Sequence, residues 1–163
     1  MARSRWRSQR GPGRLKISMK FTPEIPFVSH LGFELELFEG GQSVLGYTPQ
    51  PEHLNTFGVT HGGACMTFMD VTLATAARSV QPDMGVVTIE MKTSFMRPAP
   101  GDGSKLTGKG RLIHRTATMA FTEASLYDAQ GKVCAHATGT FKYVKRLPIS
   151  TASGRTIGVI STD

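Results

Sequence analysis

NTFGVTHGGACMTFMD, residues 55–70, ends a loop on His61-Gly62-Gly63 and opens an apolar run that holds one carboxylate, Asp70. From Gly62 to Ser79 the chain has no proline, and Ala, Met, Phe, Leu, Val and Thr dominate it. Asp70 is the only charged residue before Arg78. A run that is apolar on nearly every side predicts a long helix buried on most of its surface, not one lying on the outside of a domain. The rest of the chain must supply the cover.

On the N-terminal side, IPFVSHLG (25–32) predicts a short helix ending at Gly32. Residues 33–38 alternate Phe33, Leu35 and Leu37 against Glu34 and Glu36, the pattern of a half-buried strand. Gly40-Gly41 turns the chain, and residues 43–48 return as a second strand. Pro49 and Pro51 open a loop that runs to about Thr60. Beyond the long helix come four strand-like runs, 86–97, 104–115, 117–128 and 132–145. Asp102-Gly103 and DAQG (128–131) stand where reversals are needed, and His114-Arg115-Thr116 is a corner of weaker turn chemistry. One buried helix followed by successive antiparallel strands predicts an α+β domain whose sheet curls around the helix.

A chain of 163 residues accommodates one such domain and not two ordinary ones. No apolar run approaches the roughly 18 residues needed to span a bilayer. Cys65 and Cys134 have no CxxC or ligand-like spacing, which points to a reducing, cytoplasmic setting and to no metal framework. The net charge of +7 would suggest a nucleic-acid partner if it were spread over the fold. It is not: Arg3, Arg5, Arg7, Arg10, Arg14 and Lys16 supply six of the seven within residues 1–18, which carry no acid. The division expected is therefore a basic, disordered extension (1–18), a nearly neutral domain (19–146) and a loosely held Ser/Thr/Gly-rich tail (147–163). No specific nucleic acid and no membrane is expected as a partner.

The chemistry gathers at the start of the helix. Two glycines there leave first-turn N–H groups uncovered and admit another group close to the backbone. With the positive end of the helix dipole, those groups favour a phosphate or a carbonyl oxygen becoming an oxyanion. The same diglycine also suits a tight turn that needs glycine for its angles. Asp70 adds a second sign, because aspartate is a poor helix former and its neighbours Met69, Val71, Leu73 and Ala74 are apolar. A carboxylate so placed is costly unless it is paired, hydrogen-bonded or linked to solvent at a site. It either serves such a site or bonds a neighbouring strand. Gly62 and Asp70 lie about 12 Å apart along a helix, at ~1.5 Å per residue. One helix does not readily aim both at one carbonyl carbon, whereas two antiparallel helices across a two-fold axis do. If both act together, the site is shared between subunits.

The pattern Asn55-x-x-Gly58-x-x-His61-Gly62-Gly63, then Asp70, resembles the hotdog-fold acyl-CoA thioesterases of the phenylacetyl-CoA thioesterase (PaaI) type. The resemblance covers about residues 27–145, including VTIEMKTSFMRPAPGD (87–102) and GKVCAHATGTF (131–141). It implies a hotdog fold, a central helix wrapped by a curved antiparallel sheet, in a homodimer or a dimer-of-dimers tetramer. It implies hydrolysis of an acyl- or aryl-CoA thioester to free acid and CoA, with neither cofactor nor metal. By position, the Gly62 N–H would polarise the thioester carbonyl, with Asn55 and His61 shaping that side. Asp70 of the facing subunit would act as general base or nucleophile, and Thr88 would help to position water. Arg97, Lys105, Lys109, Arg111 and Arg115 are the basic candidates for the CoA phosphates, with Arg97 and Arg115 preferred. Gly63, Met66, Phe68, Met69 and Leu73 would line the acyl side. Alternatives within the fold are a non-catalytic acyl-CoA-binding protein and a hydratase or dehydratase. The hydratase pattern usually places a histidine five residues after the aspartate, where this chain has Thr75.

Overall fold

The computed structural model describes residues 19–21, 24–146 and 160–161. The expected basic extension (1–18) and most of the expected C-terminal tail (147–163) lie outside the described residues. In chain order the elements are α1 (Pro26–His30), β1 (Glu34–Glu39), β2 (Gln42–Tyr47), a single 3-10 turn (Pro51–His53), α2 (Gly62–Arg78), β3 (Met84–Phe95), β4 (Leu106–Arg115), β5 (Met119–Tyr127), β6 (Val133–Arg146) and β7 (Ile160–Ser161). The long helix and the four late strands fall where the apolar run and the turn residues predict them, within about two residues at most ends. Ile160 and Ser161, inside the tail expected to be loosely held, pair antiparallel with Arg146 and Lys145.

The strands form one antiparallel sheet in the order β1-β2-β4-β5-β6-β3, with β7 added to β6. The chain leaves β2, passes through α2, and re-enters the sheet as β3 at the opposite edge. β4 then returns beside β2, and β5 and β6 close the space up to β3. This route lays α2 across one face of the sheet, with β1 and β3 as the two edges.

Small residues let the helix approach. A Cβ at Gly108 would lie 2.6 Å from Thr72 Oγ1, and one at Gly110 would lie 2.8 Å from the Thr72 carbonyl oxygen. Phe68, Met69, Leu73, Ala76 and Ala77 are buried without exposed surface. Phe33 packs edge-on against both Phe68 and Tyr47, each with ring centroids 4.9 Å apart. Burying these side chains, each worth roughly 1.5–3 kcal/mol when large, is what holds the helix in the sheet. The opposite stripe of α2, Gly62-Met66-Asp70-Ala74, is only partly covered. That stripe follows the four-residue period of a helix face.

Candidate active site

The loop before α2 is built from local hydrogen bonds. Asn55 Oδ1 accepts from the N–H groups of Phe57 (2.9 Å) and Val59 (3.3 Å), and the Asn55 N–H donates to the Val59 carbonyl. Its side chain therefore holds the loop's shape, an Asx-type turn. Leu54 and Thr60 form a bridge across the loop, and the His61 N–H donates to the His53 carbonyl at 2.9 Å. His61 is the N-cap of α2: its backbone is extended (φ −60°, ψ 138°), and its Nδ1 accepts the Gly63 N–H at 2.9 Å. An imidazole accepting at Nδ1 carries no proton there, so any proton on the ring sits on Nε2.

The two glycines do different work. A Cβ at Gly63 would come within 3.1 Å of His61 Nδ1, so glycine there makes room for the cap. Gly62 has no positive φ, and a Cβ on it would meet only Phe95 Cζ, at an ordinary 3.6 Å. Neither backbone angle nor crowding demands glycine at 62. Its N–H has no acceptor among the described residues. What remains is access: an uncapped amide at the positive end of a 17-residue helix.

Asp70 lies two turns further on, partly buried, and Thr88 Oγ1 donates to its Oδ1 at 2.8 Å. Thr88 stands at a bulge in β3, where the pairing with β6 skips Ile89 between Thr88↔Phe141 and Glu90↔Thr140. Bulges of this kind re-aim a strand's side chains. Burial pushes the Asp70 carboxyl above the usual aspartate range, and the Thr88 hydrogen bond pulls the other way without cancelling it. A carboxylate set upward in pKa is a stronger proton acceptor once ionised. Among the described residues, no group of three or more His, Cys, Asp or Glu side chains is placed to hold a metal.

The other expected site residues separate. Met66 is exposed (42%) between Gly62 and Asp70, whereas Met69 is wholly buried and offers no surface to a substrate. Phe68 and Leu73 are core as well, for the same reason: they face the sheet. Lys105 Nζ sits 2.5 Å from Glu34 Oε2 and 2.7 Å from Glu36 Oε1, and Arg111 pairs with Glu123. Lys109 lies over the Tyr127 ring. These three are engaged on the sheet. Arg97 is exposed just beyond Phe95, at the Gly62 end of the helix. Arg115 ends β4, three strands from β3 along the row Thr88–Phe141–Ala120–Arg115. The two preferred arginines are thus not brought together within one protomer. Phe95, half-exposed against Gly62, is a site neighbour that sequence reasoning missed. Nothing local marks it, since its position depends on how β3 lies beside α2.

Residues 57–135 match the family model described as the thioesterase superfamily. A Saccharolobus solfataricus protein named as an esterase is 32% identical over 111 residues, covering 68% of this chain and 77% of its own. The chain belongs to the thioesterase superfamily. As a member it is a thioester hydrolase, and its fold is the hotdog fold. It is also 25% identical over 139 residues to the medium/long-chain acyl-CoA thioesterase YigI of Escherichia coli, covering 74% of this chain and 87% of that one. The structure of the E. coli PaaI protein superposes with a TM-score of 0.68 at 22% identity, over 73% of this chain and 84% of that one. In this thioesterase the family match begins in the Asn55 loop and takes in all of α2, β3, β4 and β5. Gly62, Asp70, Thr88 and Arg97 thus lie inside the matched segment, and Asn55 just before it.

Proposed function

We propose that this chain is an acyl-CoA thioesterase whose site is completed by a second copy. The observation that carries the reading is the open stripe of α2: a Gly62 N–H with no acceptor among the described residues at one end and a Thr88-held Asp70 two turns along. The distance between them, about 12 Å, calls for two helices. β3 is the sheet edge beside this stripe, and Ile89, Phe95 and Met96 are exposed along it (57%, 51% and 55%). An exposed strand edge with an apolar fringe suits pairing with another β3, in an isologous dimer. There the Gly62 turn of one protomer comes beside Asp70 of its partner.

In the shared site the thioester carbonyl oxygen accepts from the Gly62 N–H. Asp70 takes a proton from water as the water oxygen bonds the carbonyl carbon, and the negative charge gathers on the oxygen at Gly62. Collapse re-forms the carbonyl and breaks the C–S bond. The leaving thiolate recovers the proton from Asp70, giving CoA thiol and free acid. Thr88 holds the carboxylate toward the water throughout, and Arg97, exposed at the mouth, suits the CoA phosphates. A panel of aryl-, short- and long-chain acyl-CoAs tests the reading, with release of thiol as the readout. Turnover by wild type and its loss in a folded Asp70→Asn protein are expected. Absence of turnover on every member overturns it.

A further inference from the structure

The segment MRPAPGDG, residues 96–103, links β3 to β4. Pro98 and Pro100 lack N–H groups and have fixed φ, so the segment does not pair as a ladder and its carbonyls stay available. It is anchored at one end: the N–H groups of Met96 and Arg97 both donate to the Cys134 carbonyl of β6, at 2.8 and 3.0 Å. Ala99 is tucked in, with 5% exposure. Two consecutive carbonyls then face one residue of the catalytic loop. The Thr60 N–H donates to the Ala99 carbonyl at 3.0 Å, and Thr60 Oγ1 donates to the Pro100 carbonyl at 2.6 Å. Gly101 shows how close the backbones lie, since a Cβ there would overlap the Gly58 carbonyl oxygen.

Thr60 is buried and directly precedes His61-Gly62. The first N–H groups of a helix have no intrahelical partner, so the helix itself does not fix where the Gly62 amide points. The neighbouring bonds do: His61 N–H to His53, His61 Nδ1 to Gly63, and the two-point clasp at Thr60. Building on the thioesterase reading, we infer that Thr60 is a positioning residue of the oxyanion site. Its hydroxyl and amide clasp the loop to the β3–β4 link, and so aim the Gly62 N–H. Phe95 ends β3 just before this link and Arg97 lies on it, so one segment holds the loop of the amide, the aromatic wall beside it and an exposed cation.

Thr60→Val removes the hydroxyl at constant shape, and Thr60→Ser keeps it. The matched control is Ser43→Ala, which deletes another buried hydroxyl-to-carbonyl bond (Ser43 Oγ to the Thr72 carbonyl, 2.7 Å) away from the loop. A misplacement near 1 Å costs roughly 10²-fold in rate, so Thr60→Val is expected to lower kcat about 10- to 100-fold while KM moves less than about 2-fold. Thr60→Ser should restore kcat, and Ser43→Ala should lower Tm comparably with kcat unchanged. Hydrogen exchange at the Gly63 amide, followed by NMR, should quicken in Thr60→Val alone. Retained kcat together with unchanged Gly63 exchange in Thr60→Val overturns the inference. So does a Ser43→Ala protein that loses as much kcat. A wild type that cleaves no thioester overturns the functional reading instead, and the exchange comparison then decides the clasp by itself.

Discussion

The two ends of α2 are treated in opposite ways. At the C-terminal end the backbone groups are closed by the protein's own atoms. The Ser79 N–H bonds the Thr75 and Ala76 carbonyls, Ser79 Oγ donates to Ala76 and accepts from the Gly41 N–H, and Tyr143 OH donates to the Ala77 carbonyl at 2.8 Å. Arg78 adds a cation at the negative end of the dipole, lying over the Phe38 ring. At the N-terminal end one first-turn amide is capped by His61 and the next, on Gly62, is left open. A helix end that serves only the fold is sealed. The N-terminal end keeps a donor in reserve, which under the proposed function is the oxyanion donor, and a histidine cap and the Thr60 bonds hold the turn around it.

The sharpest way to break the comparison is Asp70→Asn. Loss of an acid–base group typically costs about 10²–10⁴-fold, so thiol release should collapse while the circular dichroism spectrum stays native. Stability should not fall with it. Because the folded carboxyl is raised above its ordinary value, the folded protein holds a proton that the unfolded chain releases between those two values. Stability of the wild type therefore falls as pH rises through that window. Asp70→Asn should melt as high as wild type or higher at pH 7, and the difference should shrink toward zero below the ordinary carboxylate value, about 3.9. On the proposed mechanism the wild-type rate depends on the ionised carboxylate and should climb with pH along a limb displaced above that value.

Gly62→Pro comes next. Proline is well suited to the first helical position, and His61 is already in the extended conformation that precedes proline. The substitution removes an N–H that has no acceptor among the described residues. Losing such a donor typically costs about 10²–10³-fold, and Tm should change little. Mixing differently tagged Gly62→Pro and Asp70→Asn chains should yield heterodimers with one intact site and activity recovering toward half. Verified heterodimers as inactive as both parents would break the two-chain site.

Gly63→Ala should act through the cap, by pushing the His61 ring off the Gly63 N–H. An N-cap is worth about 0.5–2 kcal/mol, so Tm and kcat should both fall modestly. Gly62→Ala should do neither, and a large stability loss there would show that residue 62 serves the turn. Tyr143→Phe sharpens the contrast from the sealed end. It deletes a buried bond worth about 1 kcal/mol, so Tm should drop with kcat unchanged.

Much of this was legible beforehand. The buried helix could be read because a proline-free run apolar on all sides is a local property of residues 62–79. The succession of strands along the chain followed from turn residues and period, but not their order in the sheet, where β3 pairs with β6 rather than with β4. The same all-round apolarity erased the helix's phase. Met66 and Met69 are three residues apart and chemically identical, yet one is exposed and the other is sealed in the core. Only the sheet's position chose between them. The cations behaved likewise: Lys105, just before β4, reached carboxylates on β1, two strands away, Arg111 found one on the neighbouring β5, and Arg97 stayed exposed two residues beyond the Phe95 that meets Gly62.

The sequence by itself determined that a carboxylate would sit within a largely buried helix opening on His-Gly-Gly, because residue type, spacing and hydropathy are carried along the chain. Tertiary structure decided what each of those groups does. Thr88 reaches Asp70 through a strand bulge 18 residues away. Gly63 makes room for the His61 cap, whereas Gly62 is left uncrowded against Phe95, because of where His61 and Phe95 come to rest. Such assignments depend on pairings between residues far apart in the chain, whose register is set by the sheet as a whole and written in no local pattern.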